Sequence, residues 1–155
     1  MNITLKRLIF DKDTLKVYCE NTDGERYAEF PISFNTWGNG GEHDAIDNGE
    51  YPITNEDSNA LEYGHDIDDS GAYGTFWVAL DRIRGRGFHG YDPNSGRSLT
   101  SGTYGCIRGN NDDGNEICEA IERSLGNDIE VIGVVQGDTS DSDFDLSIGN
   151  GYGEQ

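Results

Sequence analysis

With 155 residues, the chain is long enough for one domain with a buried core. Thirty Asp and Glu against eleven Lys and Arg leave a formal charge of -19, a field that repels nucleic-acid phosphates and anionic lipid headgroups and excludes them as expected partners. Glycine supplies 22 residues against three prolines, and apolar residues only 34%, which points to a loop-rich β protein and not a helical bundle.

In chain order, residues 2–10 carry Ile3, Leu5 and Leu8 to Phe10 in a strand-like pattern, and 15–20 reads as a second strand. Asp11-Lys12-Asp13 between them is turn chemistry, so a hairpin is expected. The Asp23-Gly24 turn leads into a third strand over 26–30. Residues 35–49 form a Gly-, Asn- and Asp-rich loop, Tyr51-Pro52-Ile53 a brief strand, and 55–74 a second acidic loop. Residues 75–80 are the most strand-like run, with aromatic and β-branched side chains together. From 85 to 105 the composition is that of a loop, interrupted only by Phe88-His89-Gly90.

A helix is predicted over 113–125, with Asp113 as N-cap, Glu116 as its capping-box partner, and Ile117, Ala120, Ile121 and Leu125 on one face before Gly126-Asn127 end it. Residues 129–135 are a nearly continuous apolar strand, expected to be buried on both faces. Residues 138–155 read as an acidic Gly/Ser-rich C-terminal tail. The expected fold class is mainly β with one helix (a β-rich α+β domain), a mainly antiparallel sheet with long acidic loops. Met1 to Asp11 holds no apolar segment of signal-peptide length, and no later segment is long enough to span a membrane.

Cys19, Cys106 and Cys118 are too few and odd in number for a disulfide scaffold. Cys106 stands apart, in Ser101-Gly102-Thr103-Tyr104-Gly105-Cys106-Ile107-Arg108-Gly109, a stretch too rich in glycine for a core strand. A tight turn there presents consecutive amide N–H groups, as an oxyanion hole requires. Arg108 adds a positive charge that could lower the thiol pKa or hold a substrate carboxylate. A nucleophilic thiol needs a base. His43 and His65 lie in acidic loops, whereas His89 precedes Cys106 by seventeen residues, close enough for a hairpin-like connection to join them. The residues alone leave open that the two are unrelated. Asp66 to Gly71 opens like a calcium loop but has Trp77 at its twelfth position, and Asp141, Asp143 and Asp145 alternate in the tail; such clusters are more often solvated loops. No Cys/His set has zinc spacing, so neither metal nor cofactor is expected.

Phe88-His89-Gly90 followed by Thr103-Tyr104-Gly105-Cys106-Ile107-Arg108 resembles the signature of L,D-transpeptidases of the YkuD type, His-Gly and then Ser/Thr-His-Gly-Cys-Ile/Val-Arg. Asn48-Gly49-Glu50-Tyr51-Pro52-Ile53 resembles the strand entry of that family, and Asp112 or Asp113 falls where it often has an Asp. Tyr104 replaces the second histidine of the motif; it can donate a hydrogen bond but cannot act as a base. The resemblance implies a YkuD-like antiparallel β-sheet catalytic domain over 1–137. Cys106 would attack a peptidoglycan stem peptide and form a thioester, and His89 would be its base, oriented by the Gly90 carbonyl. The N–H groups of Tyr104, Gly105 and Cys106 would form the oxyanion hole, with Arg108 and Thr103 toward substrate. Resolution by an amine or by water gives a transpeptidase or an L,D-carboxypeptidase.

Site of action is then the periplasm or cell wall. Without an export segment, the expectation is a delivered effector with a cognate immunity protein or delivery machinery, and a phage-associated enzyme second. Papain-like and NlpC-like hydrolases place the Cys before the His, the reverse of the order here. The rival class is a non-catalytic acidic binding or inhibitor protein for a basic partner, which Cys106→Ala would leave fully active.

Overall fold

The computed structural model describes residues 4–36, 45–54, 63–64 and 73–138. His43, His65, the Asp66 to Gly71 loop and the tail residues Asp141, Asp143 and Asp145 lie outside them.

Local polar chemistry sets the first two hairpins. Asp11 Oδ1 accepts from the N–H groups of Asp13 (2.8 Å) and Thr14 (3.2 Å), reversing the chain between β1 (Leu5–Asp11) and β2 (Lys16–Asn21). Asn21 Oδ1 does the same for Asp23 and Glu25, and Gly24 takes the left-handed φ of 82° that this turn needs, leading into β3 (Arg26–Ser33). Six further strands follow among the described residues: β4 (Gly49–Ile53), β5 (Tyr63–Gly64), β6 (Trp77–Asp81), β7 (Arg86–His89), β8 (Ile107–Gly109) and β9 (Val131–Gln136). The helix α1 (Asn111–Gly126) connects β8 to β9.

The nine strands form one sheet in the order β4-β9-β1-β2-β3-β8-β7-β6-β5. Pairing is mainly antiparallel, as expected, with β1–β9 and β7–β8 parallel. Register aligns Phe10, Val17, Ile32, Ile107, Phe88 and Val78 on one buried face. Phe88 lies edge-on to Phe10 (5.1 Å between centroids) and Phe76 (4.7 Å). Ile117, Cys118, Ala120 and Ile121 of α1 join the same core. The ends of the strand order curl toward each other, since a Cβ on Gly133 of β9 would stand 2.8 Å from Leu80 of β6.

Three expectations are corrected. The 85–105 segment is not all loop: it begins with β7, and Cys106 leads straight into the buried strand β8. Glycine in these strands marks close packing, not looseness. A Cβ on Gly87 would press on the Val78 carbonyl and Trp77 ring, and one on Gly109 would lie 2.6 Å from the Phe88 ring. The connection between His89 and Cys106 is therefore no hairpin; β7 and β8 run parallel, pairing Phe88 with Ile107 and His89 with Arg108. The helix starts earlier, with Asn110 as N-cap and no side-chain cap bond, so Asp112 and Asp113 sit in its first turn, where carboxylates favour the helix dipole.

Candidate active site

The sheet face opposite the aromatic core carries the candidate site residues. Neighbouring positions across a parallel pair point the same way, and so do positions two apart on one strand. His89 and Arg108 are register partners, Trp77 is the partner of His89 on β6, and Cys106 precedes Arg108 by two. Across the register, the Gly87 backbone N–H hydrogen-bonds the Cys106 thiol. His89 and Cys106 are thus diagonal neighbours on one face, at a spacing of roughly 7–8 Å between backbones. Both are buried, at 0% and 3% exposure.

The imidazole is held on three sides. Nδ1 lies 2.7 Å from the Gly90 carbonyl oxygen, which can only accept, so Nδ1 carries the proton and Nε2 the lone pair. The Trp77 ring stacks on it (5.9 Å, 23°) and Tyr73 meets it edge-on (4.8 Å, 89°). Gly90 is itself fixed: its N–H donates to Tyr73 O (2.8 Å), and a Cβ there would collide with Asn111 Oδ1. From the first position of α1, Asn111 donates to Tyr91 O (2.8 Å) and accepts from the N–H groups of Thr75 (3.2 Å) and Tyr91 (3.3 Å). One side chain thereby ties both segments flanking the histidine to the helix. Asn111, Tyr73 and Trp77 had no signal in the sequence, because their roles arise only from register and packing.

Burial pushes the Cys106 thiol up from its ordinary pKa, opposed by the Gly87 N–H and by Arg86 and Arg108 nearby. A thiol shifted in this direction would need a base in order to act as a nucleophile. Arg108 is fully buried, and its Nη1 donates to Ser101 O (2.7 Å), bracing the loop in front of the cysteine. Burial, with repulsion from Arg97, lowers the guanidinium to about 10, still charged at neutral pH.

Two inferred roles change. Thr103, inferred to face substrate, is 1% exposed, and its hydroxyl donates to Cys106 O (2.9 Å); it is a brace under the nucleophile turn. The Gly105 N–H, inferred for the oxyanion hole, donates to Thr103 Oγ1 (3.2 Å) and reaches an oxyanion only by giving up that bond. Gly105 has a φ of 119°, a left-handed-side conformation that reserves the position before the cysteine for glycine. Tyr104, half-buried, and the Cys106 N–H complete the expected set. Among the described residues no group of three or more His, Cys, Asp or Glu could hold a metal ion, and no helix is long and apolar enough to cross a membrane.

No protein-family model matches the chain, and no curated protein sequence does. Solved structures do. A crystal structure of the L,D-transpeptidase (residues 123–326) from Xylanimonas cellulosilytica superposes with a TM-score of 0.54 at 15% identity, covering 86% of this chain and 61% of its own. The helical cell shape determining protein Pgp2 from Campylobacter jejuni gives 0.54 at 18%, covering 90% and 52%. The chain thus spans between about half and three-fifths of these structures. At such identities the likeness is one of fold alone: a β-rich domain with the YkuD-like fold of these structures.

Proposed function

We propose that this chain is a peptidoglycan-modifying cysteine enzyme, an L,D-transpeptidase or L,D-carboxypeptidase, with residues 1–137 as its catalytic domain. The observation that carries the reading is the 2.7 Å contact between His89 Nδ1 and the Gly90 carbonyl oxygen: that oxygen accepts a hydrogen bond from Nδ1–H, which makes Nε2 the basic nitrogen of the neutral ring, on the face that holds Cys106. The thiol proton passes to Nε2 as Sγ bonds to the carbonyl carbon of the residue before a terminal D-alanine. The C–N bond then breaks, the imidazolium protonates the departing amine, and a thioester remains on Cys106. An amine acceptor resolves it by transpeptidation, water by carboxypeptidation. The fold shared with an L,D-transpeptidase supports this chemistry.

Incubation with purified muropeptides followed by mass spectrometry tests it. Loss of a terminal residue or formation of cross-links by the wild type, and neither by Cys106→Ala, is the expected result. Peptidoglycan lies outside the cytoplasmic membrane, so toxicity or altered muropeptides in a bacterial host are expected when a fused signal carries the protein to the periplasm. Equal toxicity from the cytoplasm puts the second reading ahead. That reading, an acidic binder of a basic partner, is favoured by the charge of -19 and needs no role for Cys106.

A further inference from the structure

The chain has eleven Lys and Arg, and Arg82-Ile83-Arg84-Gly85-Arg86 places three of them in one short run, the turn between β6 and β7. Asp81 Oδ1 accepts from the Arg84 N–H (3.1 Å) and Gly85 takes a left-handed φ of 70°, so the turn is held in one shape by its own chemistry. Arg86 is buried, whereas Arg82 and Arg84 are exposed. Ile83 between them is 98% exposed, the most of any large apolar side chain among the described residues. Arg84 Nη1 lies 3.2 Å from Asp47 Oδ2, which anchors this tip beside the start of β4. That bond occupies one N–H, and a guanidinium has others for a second carboxylate.

The far end of β4 carries the complementary chemistry. A groove of about 510 Å³ there combines apolar walls, Pro52, Ile53, Leu125 and Ile129, with the carboxylates of Asp128 and Glu130. Glu130 is exposed, with Lys6 Nζ 3.9 Å away. Asp128 keeps a left-handed φ of 61° just past the end of α1, where glycine is the easier residue, so a carboxylate stands at this rim at a conformational cost. β4 pairs Gly49 with Val135 and Ile53 with Val131, which puts about 13 Å of strand between tip and groove. The tip therefore cannot enter the groove of its own chain. We propose that the Ile83 tip of one copy seats in the groove of a second copy, with Arg82 and Arg84 meeting Asp128 and Glu130. Tip and groove are different surfaces, so the contact is head-to-tail and continues past two copies. A single turn buries less than the roughly 1,200 Å² of a standard interface, and the charge of -19 opposes approach, so the expected Kd is on the order of 100 µM.

Sedimentation velocity of the full chain from about 10 µM to about 1 mM tests it, in salt near 0.15 M where the Debye length of about 8 Å screens the long-range repulsion. The mean mass should rise with concentration past that of a dimer. Ile83→Asp sets a carboxylate against Asp128 and Glu130, and Asp128→Asn with Glu130→Lys removes the negative rim while Asn tolerates the left-handed backbone. All three positions are exposed, so each variant should keep the wild-type circular dichroism spectrum and associate at least tenfold more weakly. Mixed together, the intact groove of the first variant meets the intact tip of the second, and assembly should resume and stop at two copies. Should the groove variant not fold, Ile83→Asp beside Ile83→Ser decides. A wild type that stays monomeric to about 1 mM, association unchanged by the variants, or a mixture that does not complement overturns the proposal.

Discussion

The protonation of Cys106 is the residue-scale feature with the sharpest consequence. Burial holds its pKa above the usual thiol value, so thiolate is scarce at neutral pH. Iodoacetamide alkylation of the folded protein, mapped by peptide, should therefore rise with pH by about tenfold per unit below that pKa, without a plateau below pH 8. Cys19, pushed up to about 12 by burial, should stay silent over the same range. On substrate, His89→Ala should lose on the order of a hundredfold or more in rate while the fold persists. Asn111 is the other residue whose removal reports on the site. Asn111→Ala leaves the Thr75 and Tyr91 amides without their acceptor and should cost about 1–3 kcal/mol in denaturant unfolding. Gly90→Ala should be severe alone and less so beside Asn111→Ala, because the colliding atom is gone. That His89, Gly90 and Cys106 belong to one neighbourhood was legible in the sequence because the two short motifs that carry them are each contiguous. Asn111 was not: its partner Thr75 lies 36 residues away, and only the fold brings them together.

At the scale of elements, glycine explains most of what the sequence hid. Strands whose partners demand only alternation, β1 to β3 and β6, were readable from pattern and turn chemistry. β7 and β8 were not, because Gly87 and Gly109 look like loop residues until the Trp77 and Phe88 rings that press on them are known. The same packing reverses a propensity rule in α1. Alanine normally gains up to about 1 kcal/mol over glycine in a helix interior. At Gly126 the added methyl meets nothing within 4 Å, so Gly126→Ala should be neutral or stabilising. At Gly114 it would drive into the Phe76 ring, so Gly114→Ala should lower the melting temperature despite its better propensity. A smaller residue at 76 should restore part of the loss, and equal effects at the two glycines would contradict the packing described.

The whole molecule sets a strongly negative field around a small positive site. Overall charge was plain from composition; that Arg86 and Arg108 lie near Cys106, with Arg97 near Arg108, was not, since the three arginines come from separate segments. The two functional readings then predict opposite responses to salt. Stem peptides carry carboxylates, so the net charge of -19 would slow their approach over long range. The Debye length falls from about 30 Å at 0.01 M to about 10 Å at 0.1 M, which screens the distant repulsion. For the enzyme, kcat/KM on a carboxylate-bearing stem peptide should rise severalfold across that range and then level off. For an acidic protein that captures a basic partner, attraction is what salt screens, and affinity should fall steadily instead. Measuring turnover of an anionic stem peptide at 0.01, 0.05 and 0.1 M salt, beside a neutral amidated analogue whose rate should change little, separates the two. A kcat/KM that falls with salt for the anionic peptide would contradict repulsion between the peptide and the negative field of the protein.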